Sequence, residues 1–149
     1  MRHASLAAQP CPIARTLDLV GEWWTLLIIR DAILGARRFE DFKATGIADN
    51  ILSARLKRLI EAGILKRRRY QAHPDRYEYL LTEKGRAFGP VVLALRTWGK
   101  RFTNGPDRSH IVHKACGGNV EIGFHCAKCD QEIGRSEIVP GRLHENAIA

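Results

Sequence analysis

Between His113 and Cys129 the sequence reads HKACGGNVEIGFHCAKC, placing three of the chain's four cysteines within fourteen positions. The spacing is His113-x2-Cys116, nine intervening residues, then Cys126-x2-Cys129. A two-residue gap lets each pair grip an ion from one tight turn, and zinc takes four such soft or borderline ligands in a tetrahedron. Gly117, directly after Cys116, suits the positive φ of such a turn, and Asp130 after Cys129 is an allowed substitute. The expected cofactor is a structural Zn2+ on His113, Cys116, Cys126 and Cys129, with His110 and His125 competing for the nitrogen position. NVEIGF supplies a strand between the pairs, and a segment of roughly twenty residues has too little apolar core to fold without the metal. A disulfide from Cys116 to Cys126 or Cys129, or a ribbon that binds weakly, are the rival readings. Catalytic zinc fits poorly, because four protein ligands close the coordination sphere and no general base accompanies them.

Cys11 stands apart, directly before Pro12, a residue suited to the first turn of a helix. A thiol at a helix N-terminus sits at the positive end of the helix dipole, where thiolate chemistry is favoured. Reaction of Cys11 with an oxidant or electrophile is thus chemically feasible. The alternative is a small hydrophobe buried at a subunit surface.

The elements that position these groups are legible from periodicity. Ile13, Leu17 and Val20 recur at helical spacing up to Gly21, and EWWTLLIIRDAILG is apolar on nearly every side, as a centrally buried helix is. A short helix with Phe39 and Phe42 follows, then an interruption at Thr45-Gly46 and a second helix from about Asp49. On the latter, Leu52, Leu56, Leu59, Ile60 and Gly63 share one side, while Asn50, Ala54, Lys57, Arg58 and Glu61 share the other. Two short helices around a glycine turn, the second amphipathic and basic, form a helix-turn-helix pattern. ILKRRRYQAHPDRYEYLLT then reads as two strands joined at His73-Pro74-Asp75, a wing. A last apolar helix carries Phe88, Val91, Val92, Leu95, Trp98 and Phe102, kinked or split at Gly89-Pro90. The expected class is α+β, a winged helix-turn-helix with a small zinc-ribbon-like β extension. Residues 1–10 form a flexible arm, 11–102 the DNA-binding and dimerisation domain, 103–110 a linker, 111–135 the ribbon and 136–149 a tail.

The chain's net charge is +8, and eleven basic against five acidic side chains between Arg37 and Arg76 leave +6 of it on the helix-turn-helix and wing. Cations clustered there can replace counterions along phosphates, so double-stranded DNA is the expected partner. Asn50, Ser53 and Ala54 on the N-terminal half of the second helix are placed to meet base edges. Arg55, Lys57 and Arg58 grip phosphates or guanine, Arg38 adds to the basic face, and Arg68, His73 and Arg76 reach the neighbouring backbone or minor groove. One such unit covers few base pairs, so a homodimer on an inverted repeat is expected, joined through the surplus apolar faces of the first and last helices.

Residues 11–102 resemble the HxlR family of winged helix-turn-helix bacterial transcriptional regulators, relatives of the MarR group. The resemblance rests on CPIARTLDLVGEWWTLLIIRDAILG, the Gly-Ile turn, RLKRLIEAGIL and the YLLTEKG junction in order. It implies a homodimer that binds operator DNA and usually represses nearby genes, with the Cys-Pro cysteine, here Cys11, sensing oxidants or electrophiles in some members. Family members often carry a capping serine after the Gly-Ile turn; here that place is Ala48, and Asp49 is expected to cap instead.

No run approaches the roughly 18 apolar residues of a membrane span, and the first twelve residues lack the apolar core of a secretory signal. The expected setting is cytoplasmic, with no membrane partner, no enzymatic activity and room for a small-molecule or electrophile effector. The alternatives are a zinc-dependent hydrolase or deaminase, which lacks the His-x-Glu it would need, and an RNA-binding or protein-docking winged helix.

Overall fold

A computed structural model describes residues 5–107, 109 and 111–141. The chain divides into two compact units between Ile111 and Val112. In the first, α1 (Pro12–Val20), α2 (Trp23–Ile33), α3 (Phe39–Lys43) and α4 (Asp49–Glu61) precede an antiparallel hairpin of β1 (Leu65–Ala72) and β2 (Asp75–Leu81), then α5 (Glu83–Arg86) and α6 (Gly89–Phe102). This is the expected α+β winged helix-turn-helix. Among the described residues no helix is long and apolar enough to cross a membrane.

The core forms where α2 lies against α1, α4, α6 and β2. Leu52, Leu56 and Leu59 sit on one stripe of α4 and are at most 1 % exposed, as a helical repeat of four and three residues requires. They meet Val20, Ile28, Ile29, Ile64 and Phe42. Phe42 is fully buried, its ring edge-on to Tyr79 with centroids 6.3 Å apart. The α2 helix is less enclosed than its composition suggests: Thr25, Ile28 and Ile29 are buried, but Trp23 is 75 % exposed. Trp23 opens the helix, before the chain enters the packed interior, and its ring leans on Trp24 instead.

Two expectations for α4 are corrected. Ala48 is the N-cap and offers no side-chain hydrogen bond; Asp49 is the first helical residue, with its carboxylate 3.2 Å from Lys43 Nζ. A carboxylate there still complements the positive end of the helix. Gly63 lies past the helix end rather than on its packed face. The Gly63 and Ile64 amides close the helix by donating to the Ile60 and Leu59 carbonyls, and Ile64 tucks beneath it.

At the junction after the wing, Thr82 Oγ1 accepts from the Gly85 amide and donates to the Gly63 carbonyl, tying β2, the end of α4 and α5 together. A Cβ on Gly85 would lie 2.3 Å from the Ile64 carbonyl oxygen, so only glycine fits. The expected break at Gly89-Pro90 is a split: α5 ends at Arg86 and α6 begins at Gly89, with Pro90 in its first turn, where the missing N–H costs nothing.

The arm and linker are more attached than expected where they are described. Ser5 Oγ and the Leu6 amide donate to the Asp18 carboxylate, and the Arg15 guanidinium donates to the Gln9 carbonyl, so residues 5–10 are tied to α1. Residues 1–4 lie outside the described residues. Asp107 folds back to Arg96 at 2.6 Å and Lys100 at 3.5 Å on α6. Hydrogen bonds from Ser109 and then the Arg96 guanidinium hold its carboxyl down at about 2.

In the second unit, β3 (Phe124–Cys126) pairs antiparallel with β4 (Gln131–Ile133), followed by a turn of 3-10 helix at Arg135–Glu137. The strand expected over NVEIGF is confined to its last residue, because β4 offers only three partners; Asn119 makes an isolated bridge to Val112. No side chain among residues 112–141 is buried. The remainder of the expected tail, 142–149, lies outside the described residues.

Candidate nucleic-acid interface

The burial of the leucine stripe on α4 leaves the opposite face to solvent, and Asn50, Ser53, Ala54 and Lys57 are all exposed along it. Among the described residues Lys57 has only Glu61 within ion-pair reach, at 3.9 Å, and its side chain is 78 % exposed. These four residues therefore form one free polar surface, as the sequence pattern requires.

The neighbouring arginines are held differently. Arg55 Nη2 pairs with the carboxylate of Glu22, the N-cap of α2, and Arg58 Nη2 donates to the Asp18 carbonyl at 2.7 Å. Expected to reach outward for phosphates, both instead tie α4 to the α1–α2 corner. The cause is helical rotation: position 55 falls at the edge of the leucine stripe, within reach of α2.

The wing is built from alternating charge and aromatic groups. Arg67 pairs with Tyr79, Arg68 with Glu78 and Arg69 with Tyr77 across the ladder, with an irregularity at Tyr70 that shifts the register before Gln71 meets Arg76. Such a bulge bends a ribbon and re-aims the extra side chain; the Arg38 guanidinium lies 4.7 Å from the Tyr70 ring centroid. Arg38 also bridges to Glu78 as a one-residue third strand, while the Asp41 carboxylate accepts from the Arg37 and Arg38 amides. Those amide bonds hold the Asp41 carboxyl below the usual carboxylate range.

Of the wing residues expected at the interface, His73 and Arg76 are exposed at and beside its tip. Arg68 is exposed but paired with Glu78 at 2.7 Å, and that guanidinium, with Arg37 and Arg38 further off, draws the Glu78 carboxyl down. Sequence reasoning missed Arg67, stacked 4.2 Å above the Tyr77 ring, and Arg69, paired with Asp75 at 2.8 Å. Their signal was the alternation within RRRYQAHPDRYEY, which sets each against an opposite-strand partner. A groove of about 610 Å³ lies between α3 and the wing, lined among others by Arg38, Tyr70, Arg76 and Tyr77.

Sequence and fold are both shared with known proteins. The model of the HxlR-like helix-turn-helix matches residues 19–107. The chain belongs to this HxlR family of transcriptional regulators. The HTH-type transcriptional regulator Mb3122 of Mycobacterium bovis is 38 % identical over 131 residues, covering 86 % of this chain and 83 % of that protein. A crystal structure of PA1607, described as a transcription factor, superposes with a TM-score of 0.79 at 35 % identity, over 94 % of this chain and all of that one. The redox regulator HypR in its reduced form gives a TM-score of 0.57 at 34 % identity over 61 % of this chain and 92 % of its own. As an HxlR-family regulator the protein binds DNA.

The remaining candidate residues lie elsewhere. Cys11 is the N-cap of α1 and is exposed. In the second unit, His113 Nδ1 and Cys116 Sγ are 3.1 Å apart, and hydrogen bonds from the Cys129 and Lys128 amides draw the Cys126 thiol down. All four cysteines are free of disulfides. His125 faces Asp130 at 2.9 Å, and His110 lies outside the described residues. Among the described residues no three His, Cys, Asp or Glu side chains converge on one point, so the two ligand pairs stand separately.

The two classes of basic residue on α4 respond differently to truncation. Lys57→Ala leaves stability unchanged and reduces the slope of log affinity against log salt by about one for each bound protomer. Arg55→Ala instead removes the tether to Glu22 and destabilises the fold by about 1 kcal/mol, the upper range for a partly exposed pair. Salt-titrated DNA binding and thermal unfolding of both variants separate the roles; equal salt slopes would place both residues on phosphates.

Proposed function

We propose that the protein is a homodimeric repressor that reads an inverted-repeat operator, placing α4 in the major groove and the wing on the adjacent backbone. Asn50, Ser53 and Ala54 face base edges; Lys57, Arg38, His73, Arg76 and the exposed side of Arg68 meet phosphates or the minor groove. Arg55 and Arg58 serve mainly to fix α4 against α1 and α2. The work is done in the cytoplasm, beside the chromosome.

The observation that carries the dimer is a single apolar row. Val91, Leu95, Trp98 and Phe102 follow one another at four-, three- and four-residue steps along α6 and are 42, 52, 62 and 57 % exposed. On α1, Ile13 and Leu17 are 71 and 50 % exposed. Scattered exposed apolar residues are ordinary, but a continuous helical stripe of them marks a protein–protein surface. A two-fold partner sets two copies of α4 about 34 Å apart, one duplex turn.

Cys11 supplies the switch in this reading. It is exposed at the N-terminus of α1, two residues before the exposed Ile13, and a relative at 34 % identity is named a redox regulator. A hydroperoxide would convert the thiol to a sulfenic acid, one peroxide oxygen passing to sulfur and the other leaving as water or alcohol. Sedimentation of the protein should show a dimer that Trp98→Glu makes monomeric. Peroxide should weaken operator binding by the native chain and leave Cys11→Ser unaffected. A monomeric native chain ends the dimer proposal, and equal peroxide responses end the proposal for Cys11.

A further inference from the structure

We propose that the C-terminal unit is a structural zinc site ligated by His113, Cys116, Cys126 and Cys129, in which the metal replaces an apolar core. The inference is independent of the DNA-binding reading. Four observations within residues 112–141 carry it.

The first is that the two ligand pairs stand on matching turns. The Gly117 amide donates to the His113 carbonyl at 2.8 Å, and the Asp130 amide donates to the Cys126 carbonyl at 2.9 Å. The residue after each second ligand has positive φ, 70° at Gly117 and 58° at Asp130. Among the described residues Asp130 is the only non-glycine with positive φ. Aspartate is among the few residues besides glycine that adopt this conformation readily, and here it reproduces the shape of the first turn.

The second concerns donor geometry. With bonds of about 2.3 Å to sulfur and about 2.0 Å to nitrogen, tetrahedral zinc holds a Cys and a His donor atom about 3.5 Å apart. His113 Nδ1 and Cys116 Sγ, at 3.1 Å, are close to that bite. His125 is the poorer nitrogen ligand. It precedes Cys126 on β3, where successive side chains point to opposite faces, and it is engaged with Asp130.

The third is the want of an apolar core. No side chain of the unit is buried, and Ile122, Phe124, Ile138 and Val139 are exposed. The two ligand pairs stand apart in this structure, so zinc binding requires the two turns to close on one another. The fourth is charge. Three thiolates and a neutral imidazole on a divalent ion leave one net negative charge, and each two-residue gap holds a lysine, Lys114 in the first and Lys128 in the second. Binding exchanges three thiol protons for the ion.

The test uses the full chain, reduced and freed of metal, titrated with Co2+ and then Zn2+. The expected result is one Co2+ per chain, with thiolate-to-cobalt charge transfer and the ligand-field bands of a tetrahedral site with three sulfurs and one nitrogen, displaced by equimolar Zn2+. Cys116→Ser and Cys129→Ser lose stoichiometric binding, His113→Ala changes the ligand-field bands, and His125→Ala changes neither. All three tryptophans, Trp23, Trp24 and Trp98, lie in the first unit, so their fluorescence confirms that each variant keeps the winged helix folded. Absence of a cobalt spectrum from the native chain overturns the proposal. So does an intact mass two hydrogens lighter in protein purified without added oxidant, which would mean a disulfide. A band change in His125→Ala, with none in His113→Ala, overturns the ligand assignment.

Discussion

Phe42→Ala lowers the stability of the winged-helix unit by about 3–5 kcal/mol, the range for truncating a fully buried aromatic. The site offers little chance of collapse. Phe42 is 0 % exposed and belongs to a cluster in which Ile29 and Leu52 are equally enclosed. Its ring also supplies the edge-on contact with Tyr79 on β2, which joins the short α3 to the wing. With total stabilities of about 5–15 kcal/mol, a loss of this size brings the unit close to unfolding at physiological temperature. Denaturant unfolding followed by tryptophan fluorescence measures it. A loss below about 1 kcal/mol would mean that the helix-turn-helix core re-forms without the ring, contrary to the packing described.

Ala54→Glu acts at the other extreme, on function without stability. Ala54 is exposed near the centre of the free face of α4, opposite the leucine stripe, so glutamate there is accommodated by the folded chain. Against a duplex it sets a carboxylate among phosphates and acceptor-rich base edges. A single unfavourable base contact costs about 1–3 kcal/mol. In a dimer the substitution occurs twice, and operator affinity should fall by at least about 100-fold, on the order of 3 kcal/mol. The melting temperature should stay within a degree or two of the native protein, since surface changes of this kind are worth about 0.5 kcal/mol or less. Direct binding to a labelled operator checks the first expectation and a thermal melt the second. Unchanged affinity would remove the outer face of α4 from the DNA interface.

How much of this was legible in the sequence depended on the distance over which each feature is determined. The leucine stripe of α4, the hairpin around His73-Pro74 and the break before α6 are set by neighbours a few residues away, and they stand where periodicity and turn chemistry put them. The Thr82-Glu83-Lys84-Gly85 junction was recognisable as a motif, and its cause is visible only in three dimensions: a hydroxyl that closes the end of α4, and a glycine against the Ile64 carbonyl.

The intramolecular ties of Arg55 and Arg58 were not legible because their partners, Glu22 and Asp18, lie 33 and 40 residues away. A helical wheel shows that position 55 borders the buried stripe but not which element lies beside it. The capping role given to Asp49 failed for a smaller reason, a helix start one residue earlier than a side-chain cap requires. At the second unit, the matching turns at Gly117 and Asp130 follow from ligand spacing and turn preference. The short reach of β3 follows from the three-residue length of its partner, which no pattern in NVEIGF encodes.

The proposed function requires that α4 and the wing of a two-fold dimer read a particular duplex. Selection of bound fragments from a random duplex pool, at physiological salt, tests it most directly. The result expected is enrichment of one inverted repeat with half-sites about 10 base pairs apart, centre to centre. Enrichment should be lost in Ala54→Glu and kept in Lys57→Ala with a shallower salt dependence. Recovery of no preferred duplex, or of a preferred duplex still selected by Ala54→Glu, would contradict it.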